Sequence, residues 1–189
     1  MLDADVAGPA PIITSRLILR ELVLDDAEAV AARAGDRRVA RHLIQVPSPY
    51  PVSLARRWIA SRQEWWTAGR GITLAITLPA SPRALIGTVS LRAFHRDRRA
   101  ELGYWVAADE WGHGYAAEAA RGIIELGFTQ LDLARIYALV VAGNHASCRV
   151  LDKLGFVLEG IQRQHLWKAN RLHDVLLYGQ LVAEWRALQ

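Results

Sequence analysis

The plainest chemical signal in this 189-residue chain is a short glycine turn, Gly112-His113-Gly114-Tyr115-Ala116-Ala117. Ahead of it, Leu102, Tyr104 and Val106 alternate with Glu101, Gly103 and Trp105, the period of a strand. Behind it, Ala116, Ala119, Ala120, Ile123, Ile124 and Phe128 fall on one side of a helix, with Glu118, Arg121 and Glu125 opposite. A strand that feeds a glycine turn at a helix N-terminus leaves several backbone N–H groups without intrahelical partners. Those donors, and the positive end of the helix dipole, suit a phosphate. Gly112 and Gly114 place no side chain in its way. A second polar pair, Asn144 and Ser147, lies in Ala142-Gly-Asn-His-Ala-Ser-Cys-Arg-Val-Leu-Asp-Lys-Leu-Gly-Phe156. There Asn144 is placed to cap a helix and Gly155 to end it, followed by the apolar Phe156. On spacing alone, Ser147 is a hydroxyl on that helix and Cys148 a structural thiol.

The elements that must position these residues can be read in order. Residues 1–11 form a leader. Ile13, Leu17, Leu19 and Glu21 continue one period-2 strand, and Asp25 with Glu28 reads as a capping box opening a helix to about Ala34. Val46-Pro-Ser-Pro-Tyr-Pro51 must be a loop. Val52–Ala68 is a helix with Leu54, Trp58, Ile59 and Trp65 or Trp66 at helical spacing. Strands follow at 72–78, 85–94 and 100–106, joined by turns too short for crossover helices, which predicts an antiparallel meander. After the Gly114 helix come a strand at 136–142, a helix at 146–154, and strands at 157–162 and 173–181. The fold class is α+β: a mostly antiparallel mixed sheet of about seven strands with helices on both faces, in a single domain over residues 12–189.

Composition narrows the classes of function. Hydrophobic content of 52% and charged content of 22% are those of an ordinary globular protein. No apolar run approaches the ~20 residues that span a bilayer, and the N-terminus lacks a secretory pattern. The lone cysteine excludes an intrachain disulfide and fits a cytoplasmic protein. A net charge of +4 helps attract a phosphate-bearing molecule, but is too small to argue for nucleic acid. The basic run Arg92, Arg96, Arg98 and Arg99 reads as a solvated hairpin turn. No metal site is read, and the aromatic 58–66 helix offers a surface for a homodimer.

At this point the sequence resembles the GCN5-related N-acetyltransferase (GNAT) superfamily, and within it the branch that acetylates the N-termini of ribosomal proteins. Gly103-Tyr-Trp-Val-Ala107 running into Trp111-Gly-His-Gly-Tyr-Ala116 carries the resemblance, together with Asn144-x-x-Ser147 and Lys153-Leu-Gly-Phe156. Weaker echoes are Ser15-Arg16-Leu17-Ile18-Leu19-Arg20, Leu158-Glu159-Gly160 and Asp174. In the superfamily the first motif reads Gln/Arg-x-x-Gly-x-Gly/Ala. Here Trp111 stands in the first position, which removes one polar side chain from a site built mainly of backbone amides.

The resemblance implies acetyl-CoA as co-substrate, no metal, and a primary amine as acceptor. Gly112, His113, Gly114, Tyr115, Ala116 and Ala117 would hold the pyrophosphate. The strand at Val106 would splay from the 136–142 strand and pair with the pantetheine arm, Asn144 would hydrogen-bond that arm, and the Val106 N–H would face the oxyanion. Ser147 would protonate the departing sulfur. Glu101 and His165 are the candidate bases. An α-amine near pKa 8 is neutral in about one molecule in ten at pH 7, a lysine in about one in a few thousand. That favours a protein N-terminus or a low-pKa small-molecule amine, with aminoglycoside-like amines, polyamines and amino acids left open. Gly112 to Ala117 with Asp132 also satisfies a loose dinucleotide pattern; an acyl-CoA-binding module without catalysis is the other alternative.

Overall fold

The period-2 runs fold as strands and the period-3.6 runs as helices in a computed structural model that describes residues 8–94 and 97–189. In chain order these are β1 (Ile12–Ile13), β2 (Ile18–Glu21), α1 (Ala27–Ala34), α2 (Arg37–Ala40), α3 (Val52–Thr67), β3 (Gly71–Leu78), β4 (Ser81–Phe94), β5 (Arg99–Val106) and α4 (Tyr115–Thr129). They continue with β6 (Arg135–Val141), α5 (His145–Lys153), β7 (Val157–Lys168), β8 (Arg171–Leu181) and α6 (Val182–Ala187). Among the described residues the strands form one eight-stranded sheet in the order β1-β2-β3-β4-β5-β6-β8-β7. Every neighbouring pair is antiparallel except β5 and β6, whose parallel pairing α4 bridges.

Both faces of the sheet are covered. On one, α4 buries Ala119, Ala120, Ile123, Ile124 and Phe128 in a cluster with Leu91, Leu102, Val106, Ile136 and Val140. Burying Ile123 or Ile124 contributes about 1.5–3 kcal/mol each. On the other, Val30 and Ala31 of α1 and Ala55 and Ile59 of α3 pack with Leu22, Ala75 and Leu85, and half-buried Trp58 and Trp105 join them. Along β5, Leu102, Tyr104 and Val106 therefore face α4, while Trp105 faces α1 and α3.

Four local expectations change. The single first strand is two, because a turn at 14–17 folds β2 back onto β1: Thr14 N donates to Leu17 O (3.0 Å) and Leu17 N to Thr14 Oγ1 (3.0 Å). This accounts for eight strands rather than about seven. Asp26, not Asp25, organises the entry to α1; its carboxylate accepts the Val23 N–H (3.0 Å) and a two-pronged contact from Arg20 (2.8 and 2.7 Å). Strand β7 continues past Gln162 to Lys168 through an irregularity where Gln164 N donates to Asp174 Oδ1 (2.8 Å). The short helices α2 and α6 had no strong sequence signal. Of the expected leader, residues 1–7 lie outside the described residues, as does Arg96 of the basic run. No helix among the described residues is long and apolar enough to cross a membrane.

Candidate active site

Strands β5 and β6 begin as neighbours and then part. They pair only at Arg99↔Arg135, Ala100↔Ile136 and Glu101↔Tyr137. Beyond that point β5 stays bonded to β4 as far as Gly87↔Val106, and β6 to β8 as far as Val141↔Val175. Hydrogen bonding alternates residue by residue along an antiparallel ladder. Since Ala107 N donates to Ile86 O (2.8 Å), the preceding N–H, that of Val106, points away from β4 into the gap. The Val106 carbonyl is capped by the indole N–H of Trp111 (2.8 Å), which turns the Trp111 side chain back towards β5.

The glycine turn follows β5 at the open end of this gap. Gly112 (φ +85°) and Gly114 (φ +82°) both lie in the left-handed region, where a Cβ is strained. Nothing lies within 4 Å of where a Gly112 Cβ would stand, so the turn presents bare backbone. Gly114 is the N-cap of α4 and supplies no side-chain cap. The first bond of the helix runs from Glu118 N to Gly114 O (3.1 Å), which leaves the N–H groups of Tyr115, Ala116 and Ala117 ahead of the intrahelical ladder. The His113 ring stacks on Tyr115, centroids 5.3 Å apart at 15°, and sits at the exposed rim.

Helix α5 follows β6 at the same open end, across from the turn. Asn144 caps it as expected, accepting the Ser147 N–H on Oδ1 (3.2 Å), so its Nδ2 remains available as a donor. The helix ends at Gly155 (φ +80°) with Phe156 buried. Across the gap, the Tyr104 hydroxyl lies 2.8 Å from Ser147 Oγ. Burial pushes the Tyr104 phenol well above its ordinary pKa, and the Ser147 hydrogen bond opposes this only in part, so the phenol keeps its proton. Sequence reasoning missed Tyr104: its parity on β5 marks it as a core residue, and no local pattern reports a partner 43 residues away. Cys148 is half-buried beside Tyr178, whose phenol is pushed up to about 12 by burial and by its hydrogen bond with that thiol.

Two predicted residues do not join this group. Glu101 sits where β5 and β6 are still paired, five residues before Val106, roughly 16 Å along the strand. Its carboxylate is ion-paired with Arg92 and hydrogen-bonded to Tyr137. His165 is exposed on the irregular part of β7. The end of that hairpin is tied to the loop before α3, because Lys168 Nζ donates to the carbonyls of Leu43 and Val46.

The fold that carries this site is shared with solved acetyltransferases. A family model described as an acetyltransferase (GNAT) domain matches residues 16–157. YoaA, an uncharacterized N-acetyltransferase of Bacillus subtilis (strain 168), is 36% identical over 173 residues, covering 89% of this chain and 95% of its own. YdaF of the same bacterium, provisionally named a ribosomal N-acetyltransferase, is 35% identical over 103 residues, 54% of this chain and 56% of its own. The structure of RimL, a ribosomal L7/L12 alpha-N-protein acetyltransferase in complex with coenzyme A, matches with a TM-score of 0.81 over 91% of this chain and 98% of that one. At 19% identity this is a likeness of fold. The chain belongs to the GNAT acetyltransferase family and is one of its N-acetyltransferases. The dinucleotide alternative falls away: β3, β4 and β5 are antiparallel neighbours, and Asp132 is held by Arg98 (2.5 Å) in an exposed turn.

Proposed function

We propose that this protein moves the acetyl group of acetyl-CoA to an α-amine at a protein N-terminus. The observation that carries the proposal is the gap between β5 and β6, with the Val106 N–H facing into it and the Tyr104–Ser147 pair across it. The residues present fit acetyl-CoA. The bare turn Gly112-His113-Gly114 and the N–H groups of Tyr115, Ala116 and Ala117 would take the pyrophosphate, and Asn144 Nδ2 would donate to the pantetheine arm.

Acetyl-CoA supplies a thioester that a neutral amine attacks directly, forming the C–N bond as the C–S bond breaks and the thiolate leaves. The Val106 N–H, fixed by the β4–β5 ladder, donates to the carbonyl oxygen as that oxygen gains charge. Ser147 Oγ gives its proton towards the departing sulfur and regains one from water, while Tyr104, which keeps its proton, orients that hydroxyl from 2.8 Å away. The proton lost by the amine goes to water. Glu101 is held by Arg92 at the closed end of the gap, so an acceptor that is already neutral in part at pH 7 suits the site better than a lysine. The name given to YdaF points the same way.

The test is an acetyl-CoA-dependent release of free thiol with ribosomal-type N-terminal peptides beside small amines. Turnover of free peptides, and none of N-terminally blocked copies carrying an internal lysine, is the expected result. Turnover confined to small amines would move the acceptor to that class.

A further inference from the structure

The opening motif Ser15-Arg16-Leu17-Ile18-Leu19-Arg20 is not used by the mechanism above, and its two arginines are spent very differently. Arg20 is fully engaged. Its Nε donates to Pro82 O, Nη1 to Glu21 O and Asp26 Oδ2, and Nη2 to Asp26 Oδ1 and Arg83 O, all within 2.7–3.0 Å. Those are the five N–H donors a guanidinium possesses. Arg16 is exposed and uses three. Its Nε donates to Glu118 Oε2 (2.8 Å), Nη2 pairs with the same oxygen (2.6 Å) and Nη1 donates to His113 O (3.0 Å). Among the described residues one N–H on each Nη is left over.

The guanidinium lies beside the glycine turn. Nη2 lies 3.6 Å from where a Gly114 Cβ would stand, and the guanidinium carbon is 5.3 Å from the centre of the Tyr115 ring. The chain is held there by Glu118 of α4, whose Oε1 accepts from Thr14 Oγ1 (2.6 Å), Ser15 Oγ (3.0 Å) and Arg16 N (2.8 Å). Burial alone would raise the Glu118 carboxyl; the bonds from Thr14, Arg16 and Ser15 override it and bring it down to about 2. Trp111, just before the turn, offers it no donor, because its indole N–H is committed to Val106 O.

We infer that Arg16, delivered from the β1–β2 turn, supplies the phosphate-binding cation of the coenzyme site. The inference rests on the acetyl-CoA reading above and adds to it a residue 98 positions before Gly114. A planar guanidinium with an N–H to spare on each Nη is suited to phosphate oxygens. The carbonyl of His113 and the carboxylate of Glu118 fix its orientation before any ligand arrives.

The test measures coenzyme A binding by calorimetry for the wild-type chain, Arg16→Gln, Arg16→Lys and Glu118→Gln, at salt of about 0.1 and about 1 M, where the Debye length falls from about 10 to about 3 Å. Arg16→Gln should weaken binding about ten- to thirtyfold at low salt and flatten the salt dependence. Arg16→Lys should keep most of that salt dependence, because the charge remains. Glu118→Gln should lose clearly less than Arg16→Gln, since the cation survives the removal of its brace. The KM for S-acetylpantetheine, which carries no pyrophosphate, should stay within about twofold in Arg16→Gln. Wild-type affinity and salt dependence in Arg16→Gln would overturn the inference, and so would a Glu118→Gln loss equal to that of Arg16→Gln, which would make Arg16 only a brace. A wild-type chain that does not bind coenzyme A at all would instead remove the coenzyme reading.

Discussion

Strand β6 has two edges with opposite fates. Towards β8 it is bonded along its whole length, from Arg135↔Leu181 to Val141↔Val175. Towards β5 it is bonded at three positions and then abandoned. The same seven residues thus supply a finished ladder on one side and an unfinished one on the other, although Val140, Val141 and Val106 are all buried. Buried backbone groups without partners are costly, so a native sheet does not stay open without a reason. Here α4 wedges beneath the opening, and the N–H and C=O groups left over on β5 are those an extended amide-bearing arm would complete. What differs between the two edges is not propensity, since β6 is one continuous apolar strand, but what lies beside it.

The largest effect is expected where the unfinished edge meets the glycine turn. Gly114→Val places a β-branched residue at φ +82° and fills the space beside Arg16. Coenzyme A affinity by calorimetry should fall about a hundredfold or more, ~2.8 kcal/mol, while the far-ultraviolet spectrum and the finished β6–β8 ladder persist. Binding at wild-type strength in a folded Gly114→Val chain would remove the turn from the site. Amide exchange sharpens the same contrast: the Val106 N–H should slow on addition of coenzyme A, and the amides of Val140 and Leu176, which bond across the β6–β8 ladder, should not change.

The next effect concerns chemistry across the gap. Ser147→Ala should lower kcat ten- to a hundredfold, on the order of 1.4–2.7 kcal/mol of barrier, with little change in acetyl-CoA affinity. Tyr104→Phe should cost less, because Ser147 keeps its hydroxyl and loses only the 2.8 Å partner that orients it. A Ser147→Ala enzyme with wild-type turnover, under conditions where chemistry limits the rate, would leave thiolate departure to solvent.

Legibility in the sequence follows how local each cause is. The strand–turn–helix from β5 to α4 and the Asn144 cap were readable because alternation, glycine and an Asx residue act within a few positions. The turn at 14–17 was not, since Ile13, Leu17 and Leu19 keep one period-2 parity across it. The break is imposed by Glu118, 104 residues from Thr14. For the same reason Arg16 reads as one more charge on a strand, and Tyr104 as one more core aromatic. Spacing to Glu28 favoured Asp25; Arg20 and the Val23 N–H choose Asp26.

A smaller, pH-dependent effect comes from that long-range contact. Glu118 is held at about 2 against an ordinary 4.5, so its bonds to Thr14, Ser15 and Arg16 stabilise the fold fully above about pH 4.5. That contribution should be lost progressively as the pH falls towards 2. Thermal melts across this window should show the loss, and Glu118→Gln should flatten it. A melting temperature with the same acid limb in both chains would mean that the docked turn adds nothing to stability.

The smallest effect on catalysis is expected at the closed end of the gap, where β5 and β6 are still joined. Glu101 faces Tyr137 there in register, with Arg92 opposite on β4, and burial raises the Tyr137 phenol above its usual pKa with Glu101 adding to the shift. A carboxylate so placed belongs to the finished part of the sheet. Glu101→Gln should leave the midpoint of the pH–rate profile in place and change kcat less than threefold. It should lower stability instead, by about 1–2 kcal/mol, because Arg92 keeps its charge in a half-buried position without its partner. A midpoint that moves upward in Glu101→Gln would reverse this order. The carboxylate would then be drawing the amine proton through a chain of waters along the gap, and the division between a structural end and a reactive end of β5 would no longer hold.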